Sequence, residues 1–190
     1  MKNLMHITAV LVGSLLLVAG CAMQMKPRPS PAAIAAIGKA KITQKANVVI
    51  SDKDLALEQS VHFGLVGFVF PVKVKVGETL KVYSEEYFGE MFNEVAFSTP
   101  TADNITVAFE IKGFDISTVG TAAHVELKMV INDKNNKQLH EKVYSANGKS
   151  HGPFYLSDAT QQLQVQETTQ EAFAKVFDEI SKDIKTIAFR

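Results

Sequence analysis

The chain has 190 residues, and its 20 lysines and arginines equal its 20 aspartates and glutamates. That balance excludes the basic footprint of a nucleic-acid binder and a polybasic membrane patch. A single cysteine excludes a disulfide framework, and the absence of tryptophan argues against a sugar-stacking platform.

At the amino terminus, Lys2 precedes a mostly apolar run from Leu4 to Val18, which ends in the small pair Ala19-Gly20 and then the one cysteine, Cys21. A membrane span needs roughly 20 apolar residues, so the run is short for a permanent helix and reads as a signal peptide covering residues 1–20. Val18-Ala19-Gly20-Cys21 resembles a bacterial lipobox. The resemblance implies thioether lipidation of Cys21, cleavage before it and acylation of the new amino terminus. Each buried methylene contributes about 0.8 kcal/mol, so several acyl chains on one residue anchor stably where one is marginal. Ala22 is not the aspartate that marks inner-membrane retention in lipoproteins. The implied address is the outer membrane, facing the periplasm. Loss of Lys2 leaves the mature chain one unit negative.

Residues 21–45 read as the lipidated cysteine and a tether. Pro27, Pro29 and Pro31 disfavour helix and favour an extended spacer, and Ala32 to Ile37 offers one short helical turn. A single domain is expected over 46–190. Asn47 to Ser51 is β-rich. Ser60 to Phe70 is apolar on both faces in its second half, as in a buried strand. Val72, Val74 and Val76 alternate with Lys73 and Lys75, as in a half-exposed strand. Helical spacing then runs from Glu78 to Val95, with Leu80, Tyr83, Tyr87, Phe88, Met91, Phe92 and Val95 on one stripe. We read that stripe as core rather than as a ligand box. Pro100 and Asp103-Asn104 mark its exit loop.

Two alternating strands follow, one on Ile105, Val107, Phe109 and Ile111, the other on Val125, Leu127, Met129 and Ile131. Asp133 to Lys137 reads as a hairpin turn, with Leu139, Val143 and Tyr144 on the returning strand. Centring the turn on Asn135 pairs Ile131 with Leu139, Leu127 with Val143, and Lys128 with Lys142. Asn147-Gly148 and Gly152-Pro153 form the next loop. The last helix carries Phe173, Val176, Phe177, Ile180, Ile184 and Ile187 on one stripe. Thr168 and Glu171 have capping-box spacing, and Gln161 to Gln170 is a candidate backward extension. This order predicts an α+β fold, a mainly antiparallel sheet with two amphipathic helices packed on one face.

A lipobox, a Pro-rich spacer and a strand–helix–meander–helix domain together resemble the YajG-like proteins and the auxiliary lipoproteins of ABC-type transporters, at the level of architecture. The resemblance implies a non-catalytic role beside a protein partner in the envelope. The residues agree with that expectation, for there is no CxxC, HExxH or phosphate-binding glycine loop. Ser150-His151 are adjacent, and neighbours in sequence do not usually face each other as nucleophile and base. His124, Glu126 and His140 form a metal candidate, but polar residues on the wet face of a sheet explain them more simply. We expect no enzyme activity, no cofactor and no metal. The expected function is an accessory or assembly component of an envelope transport or biogenesis complex, anchored to the membrane at Cys21. The partner would meet a wet face carrying His124, Glu126, Lys128, His140 and Tyr144. The alternative is a carrier or sensor that holds a lipid-like ligand among the phenylalanines.

Overall fold

Apolar residues at every second position of two long strands require something apolar above them, and two helices supply it. The computed structural model describes residues 23–38, 41–62, 71–97, 104–117, 120–151, 158–187 and 189. In chain order the elements are β1 (Met23–Met25), α1 (Pro31–Ala35), β2 (Ile42–Ile50), α2 (Asp52–Leu55), β3 (Gln59–Val61) and β4 (Val72–Val74). They continue with α3 (Val76–Met91), β5 (Phe92–Ala96), β6 (Ile105–Ser117), β7 (Ala122–Asn132), β8 (Gln138–Asn147) and α4 (Asp158–Thr186). A five-stranded sheet has the order β5-β2-β6-β7-β8, and a three-stranded sheet the order β1-β4-β3. The fold is α+β, as expected. The meander β6-β7-β8 is antiparallel, whereas β2 runs parallel to both β5 and β6.

Helices α3 and α4 lie on the same face of the larger sheet. Phe109 on β6 meets Phe88 of α3 edge-on, with centroids 5.8 Å apart, and Phe177 of α4 at 5.9 Å. Phe177 also meets Tyr87 at 5.1 Å and Tyr83 at 5.6 Å, and Tyr83 meets Phe173 at 5.2 Å. All these rings are buried. Each such pair contributes about 0.5–1.5 kcal/mol beyond its buried area. The two tyrosines keep their polar ends satisfied, Tyr83 donating to the Gln170 carbonyl at 2.9 Å and Tyr87 to Asp178 Oδ1 at 3.2 Å. The aromatic stripe of α3 is therefore core.

Several expectations are corrected. The helix starting near residue 78 stops at Met91 rather than Val95. Phe92 takes an extended conformation, stacks on Phe88 at 5.7 Å and begins β5, whose partner is β2. Strand pairing ends this helix, since no glycine or proline stands there. Val76 belongs to the first turn of α3, not to β4. Part of the segment read as a tether is ordered into the fold. Met23–Met25 forms a ladder with β4, Ser30 caps α1 through the Ala33 amide at 3.2 Å, and β2 starts at Ile42. The expected strand over residues 63–70, the Pro100 and Asp103 loop, Gly152-Pro153, and everything up to residue 22 lie outside the described residues.

Helix α4 takes the long form, with 29 residues. Thr168 and Glu171 are not a capping box, because both sit inside the helix and serve tertiary contacts. Buried Thr168 accepts the Ala123 amide at 2.9 Å, and Glu171 accepts the Lys149 amide at 2.8 Å. The chain leaving β8 passes so close to α4 that a Cβ on Gly148 would stand 1.9 Å from the Thr168 carbonyl oxygen. Only glycine fits there.

Removing the ring that joins both helices to the sheet should be costly. Phe177→Ala is expected to destabilise by about 3–5 kcal/mol, as large-to-small core changes do. Lys175→Ala, on the exposed side of the same helix, should change stability by less than about 0.5 kcal/mol. Chemical denaturation of the two variants checks this, and equal small effects would show that α4 is not seated as described.

Candidate functional site

Strand β7 alternates without a break. Ala123, Val125, Leu127, Met129 and Ile131 are buried beneath the helices, while His124, Glu126, Lys128, Val130 and Asn132 are half-buried on the helix-free face. On that face β6 sets Glu110 directly opposite Lys128, and β8 contributes Glu141 and Val143. Lys128 bonds Glu141 at 2.6 Å, and that partner raises its pKa above the usual lysine value. The His124 ring Nδ1 lies 2.8 Å from Asn147 Oδ1. Val143 is 45% exposed among these charges.

The hairpin register differs from the expected one, and the difference moves side chains between faces. Asn132 pairs with Gln138, but a bulge follows, and Ile131 pairs with His140. The extra residue on β8 is Leu139, and an inserted residue reverses the facing of all that follow. Lys128 thus opposes Val143 rather than Lys142, and Leu127 opposes Tyr144. Of the five residues expected on the partner face, His124, Glu126 and Lys128 are there. His140 and Tyr144 point to the helix side, so the trio His124, Glu126 and His140 does not converge. Among the described residues, no group of three or more His, Cys, Asp or Glu is placed to hold a metal ion.

His140 and Tyr144 instead join a cluster against α4. The buried Tyr144 hydroxyl donates to Asp183 Oδ2 at 2.9 Å, and His140 Nε2 lies 2.8 Å from the same hydroxyl. Because that hydroxyl gives its one proton to Asp183, Nε2–H must be the donor toward Tyr144. Lys142 Nζ donates to Asp183 Oδ2 at 2.8 Å and sits 4.7 Å above the Tyr144 ring centroid. Lys142 first, then Tyr144, holds the Asp183 carboxyl below the usual carboxylate range. Burial, then Asp183, pushes the Tyr144 phenol up. Asp183 lies off the apolar stripe of its helix. No local signal marks it, since its partners lie about 40 positions away on another element.

The remaining candidates separate. Ser150 donates its hydroxyl to the Gly120 carbonyl at 2.6 Å, and His151 Nε2 lies 3.8 Å from Glu167, so the two do not form a nucleophile–base pair. Cys21 lies outside the described residues. Among the grooves on the described surface, two involve the amino-terminal segment. One, of about 640 Å3, is lined by Arg28, Pro29, Pro31, Ile34, Ala35, Gly38, Glu86 and Glu90. The other, of about 450 Å3, lies between residues 24–27 and the start of α4. Neither is lined by the aromatic residues of the core. Among the described residues, no helix is long and apolar enough to cross a membrane.

The Asp183 cluster makes a pH prediction. A depressed carboxyl pKa contributes stability above the unfolded value of about 3.9, and that contribution is lost as pH falls through the lower folded value. Asp183→Asn should therefore melt below wild type at neutral pH, with the gap closing as the pH drops below about 4. Tyr144→Phe should cost about 1–2 kcal/mol by leaving partners unsatisfied. Thermal melts across pH check both, and a gap that widens in acid would contradict the assignment.

No protein-family model matches the chain, and no curated protein does. Solved structures similar to it include a minor lipoprotein from Acinetobacter baumannii, at 12% identity and a TM-score of 0.43, covering 80% of this chain and 100% of that one. They also include the hypothetical protein CT253 from Chlamydia trachomatis, at 9% identity and a TM-score of 0.44, covering 77% of this chain and 96% of that one. At TM-scores below 0.5 these are loose likenesses, and they assign the chain to no family.

Proposed function

We propose that the chain is an envelope lipoprotein, anchored through Cys21 in the outer membrane and facing the periplasm. Its domain would act as a non-catalytic accessory or assembly component of a transport or biogenesis complex, in the manner of the YajG-like and ABC-transport auxiliary lipoproteins it resembles in architecture. The observation that carries this reading is the division of the larger sheet. One face is consumed by the aromatic core, and the other presents His124, Glu126, Lys128, Glu141 and Val143 to solvent on a rigid ladder. Such a surface recognises another protein by charge complementarity around an apolar contact. The lipobox residues support the anchor. The aromatic side chains fill the space between helices and sheet with their own contacts, which favours this reading over a carrier of hydrophobic ligands.

Metabolic labelling tests the anchor. The wild-type chain should incorporate palmitate and fractionate with the outer membrane, and Cys21→Ser should lose both the label and signal-peptide removal. Unchanged labelling would sink the lipoprotein reading. The partner face is tested by a photo-crosslinking residue at Val143, with Lys182 on the exposed side of α4 as control. A discrete adduct should form from Val143 and weaken in Lys128→Glu, which sets three carboxylates together with Glu110 and Glu141. That variant should keep a cooperative melt, with a Tm slightly lowered and more so at low ionic strength. Adducts from Lys182 and none from Val143 would assign partner contact to the helix side instead.

A further inference from the structure

The distance between the anchor and the fold is very short. Strand β1 begins at Met23, so Ala22 alone separates Cys21 from the first ladder position. Two Cα steps span at most about 7 Å when fully extended. Strand β1, at the edge of the smaller sheet, and the residues after it are also held in place. Met23, Gln24 and Met25 pair with Val72, Lys73 and Val74, and the Lys75 amide donates to the Met25 carbonyl at 2.8 Å. Lys26 bridges to Glu78 of α3 at 3.2 Å, and Gln170 of α4 donates to the Arg28 carbonyl at 3.0 Å.

The same end of the molecule has a distinct chemistry. Met23, Val72 and Val61 form one row across the smaller sheet, and the chain leaves β3 and enters β4 at that row. The early turns of α4 stand beside residues 24–27, with Gln162, Leu163 and Gln166 across a groove from Gln24, Met25, Lys26 and Pro27. Leu163 is 53% exposed, and from Thr160 to Gln166 the helix carries no charge. Farther along, the same helix carries Glu171, Lys175, Asp178, Glu179, Lys182 and Asp183. Between Asp158 and Glu167 the helix carries a charge-free stretch, which can approach a lipid surface without stripping water from ions.

We propose that this end, formed by the start of β1, the Val61–Val72 row and the first turns of α4, lies against the bilayer surface. The anchor then fixes the orientation of the domain as well as its location. The inference rests on lipidation of Cys21. A protein occupant does not fit, because a leash of about 7 Å leaves a gap narrower than a helix, whose diameter is about 10–12 Å. Helix α4 points away from this end. At 1.5 Å per residue, Thr186 stands about 35 Å along it from Leu163, and the β7–β8 turn lies at that far end, where Lys134 and Phe189 share a cleft.

Fluorescence quenching in vesicles tests the orientation. The lipidated full-length protein is reconstituted into phosphatidylcholine vesicles that contain spin-labelled headgroup lipid. An environment-sensitive fluorophore is attached at Leu163→Cys, at Gln24→Cys or at Lys134→Cys, and the thioether at Cys21 leaves no competing thiol. Quenching should be several-fold stronger at positions 163 and 24 than at 134, with all three proteins floating with the vesicles. Equal quenching at the three positions, or stronger quenching at 134, in protein that floats would overturn the orientation and leave the lipoprotein reading standing. Protein that neither floats nor carries palmitate would overturn both.

Discussion

Everything in this molecule hangs on the contact of Phe177 with Tyr83, Tyr87 and Phe109. That ring touches both long helices and the central strand, so the relative placement of three elements depends on it. Rings in mutual contact at these spacings resist sliding, because a small shift forfeits much of the attraction. The tyrosine hydroxyls add direction to the packing, since each reaches a particular acceptor on α4. Hydrophobic burial brings the helices to the sheet, and these two hydrogen bonds select where along its length α4 comes to rest.

Once α4 is seated, its polar side chains acquire partners that are invisible along the helix itself. Thr168 reaches the Ala123 amide, Glu171 the Lys149 amide, and Asp183 the cluster of Lys142, Tyr144 and His140. These contacts tie β7, β8 and the chain just after β8 to the helix. They also shield one flank of a strand whose outer backbone would otherwise invite pairing. The Leu139 bulge serves the same end, because it turns His140, Lys142 and Tyr144 toward α4 and leaves Glu141 and Val143 on the open face.

Two surfaces then separate by geometry. The first strand begins two residues after Cys21, beside a stretch of α4 that carries no charge between Asp158 and Glu167. The helix-free face of the larger sheet is charged, rigid and available to another macromolecule. Under the proposed anchoring, a domain held so close to a bilayer would present the rest of its surface in a fixed frame. An accessory component gains from such a frame, because preorganisation reduces the entropy lost when a partner docks.

The sequence by itself determined whatever depends on near neighbours in the chain. The Val18-Ala19-Gly20-Cys21 motif, the alternation of β7 and the stripe of Phe173, Val176, Phe177, Ile180 and Ile184 are local patterns, and the last two stand in the structure as read. The α+β class follows from their order. Tertiary structure decided the rest. Met91 ends α3 because Phe92 gains more by pairing beside Ile42 and stacking on Phe88, a choice with no local stop signal. Residues 23–25 and 42–45 joined sheets because distant strands offered them free edges. The hairpin kept the expected pairing for one rung and then lost it to a bulge, which moved His140 and Tyr144 off the face where alternation had placed them. Side-chain period is written into each strand, but pairing partners and register are set by contacts far away in sequence, and a single inserted residue is enough to exchange the two faces.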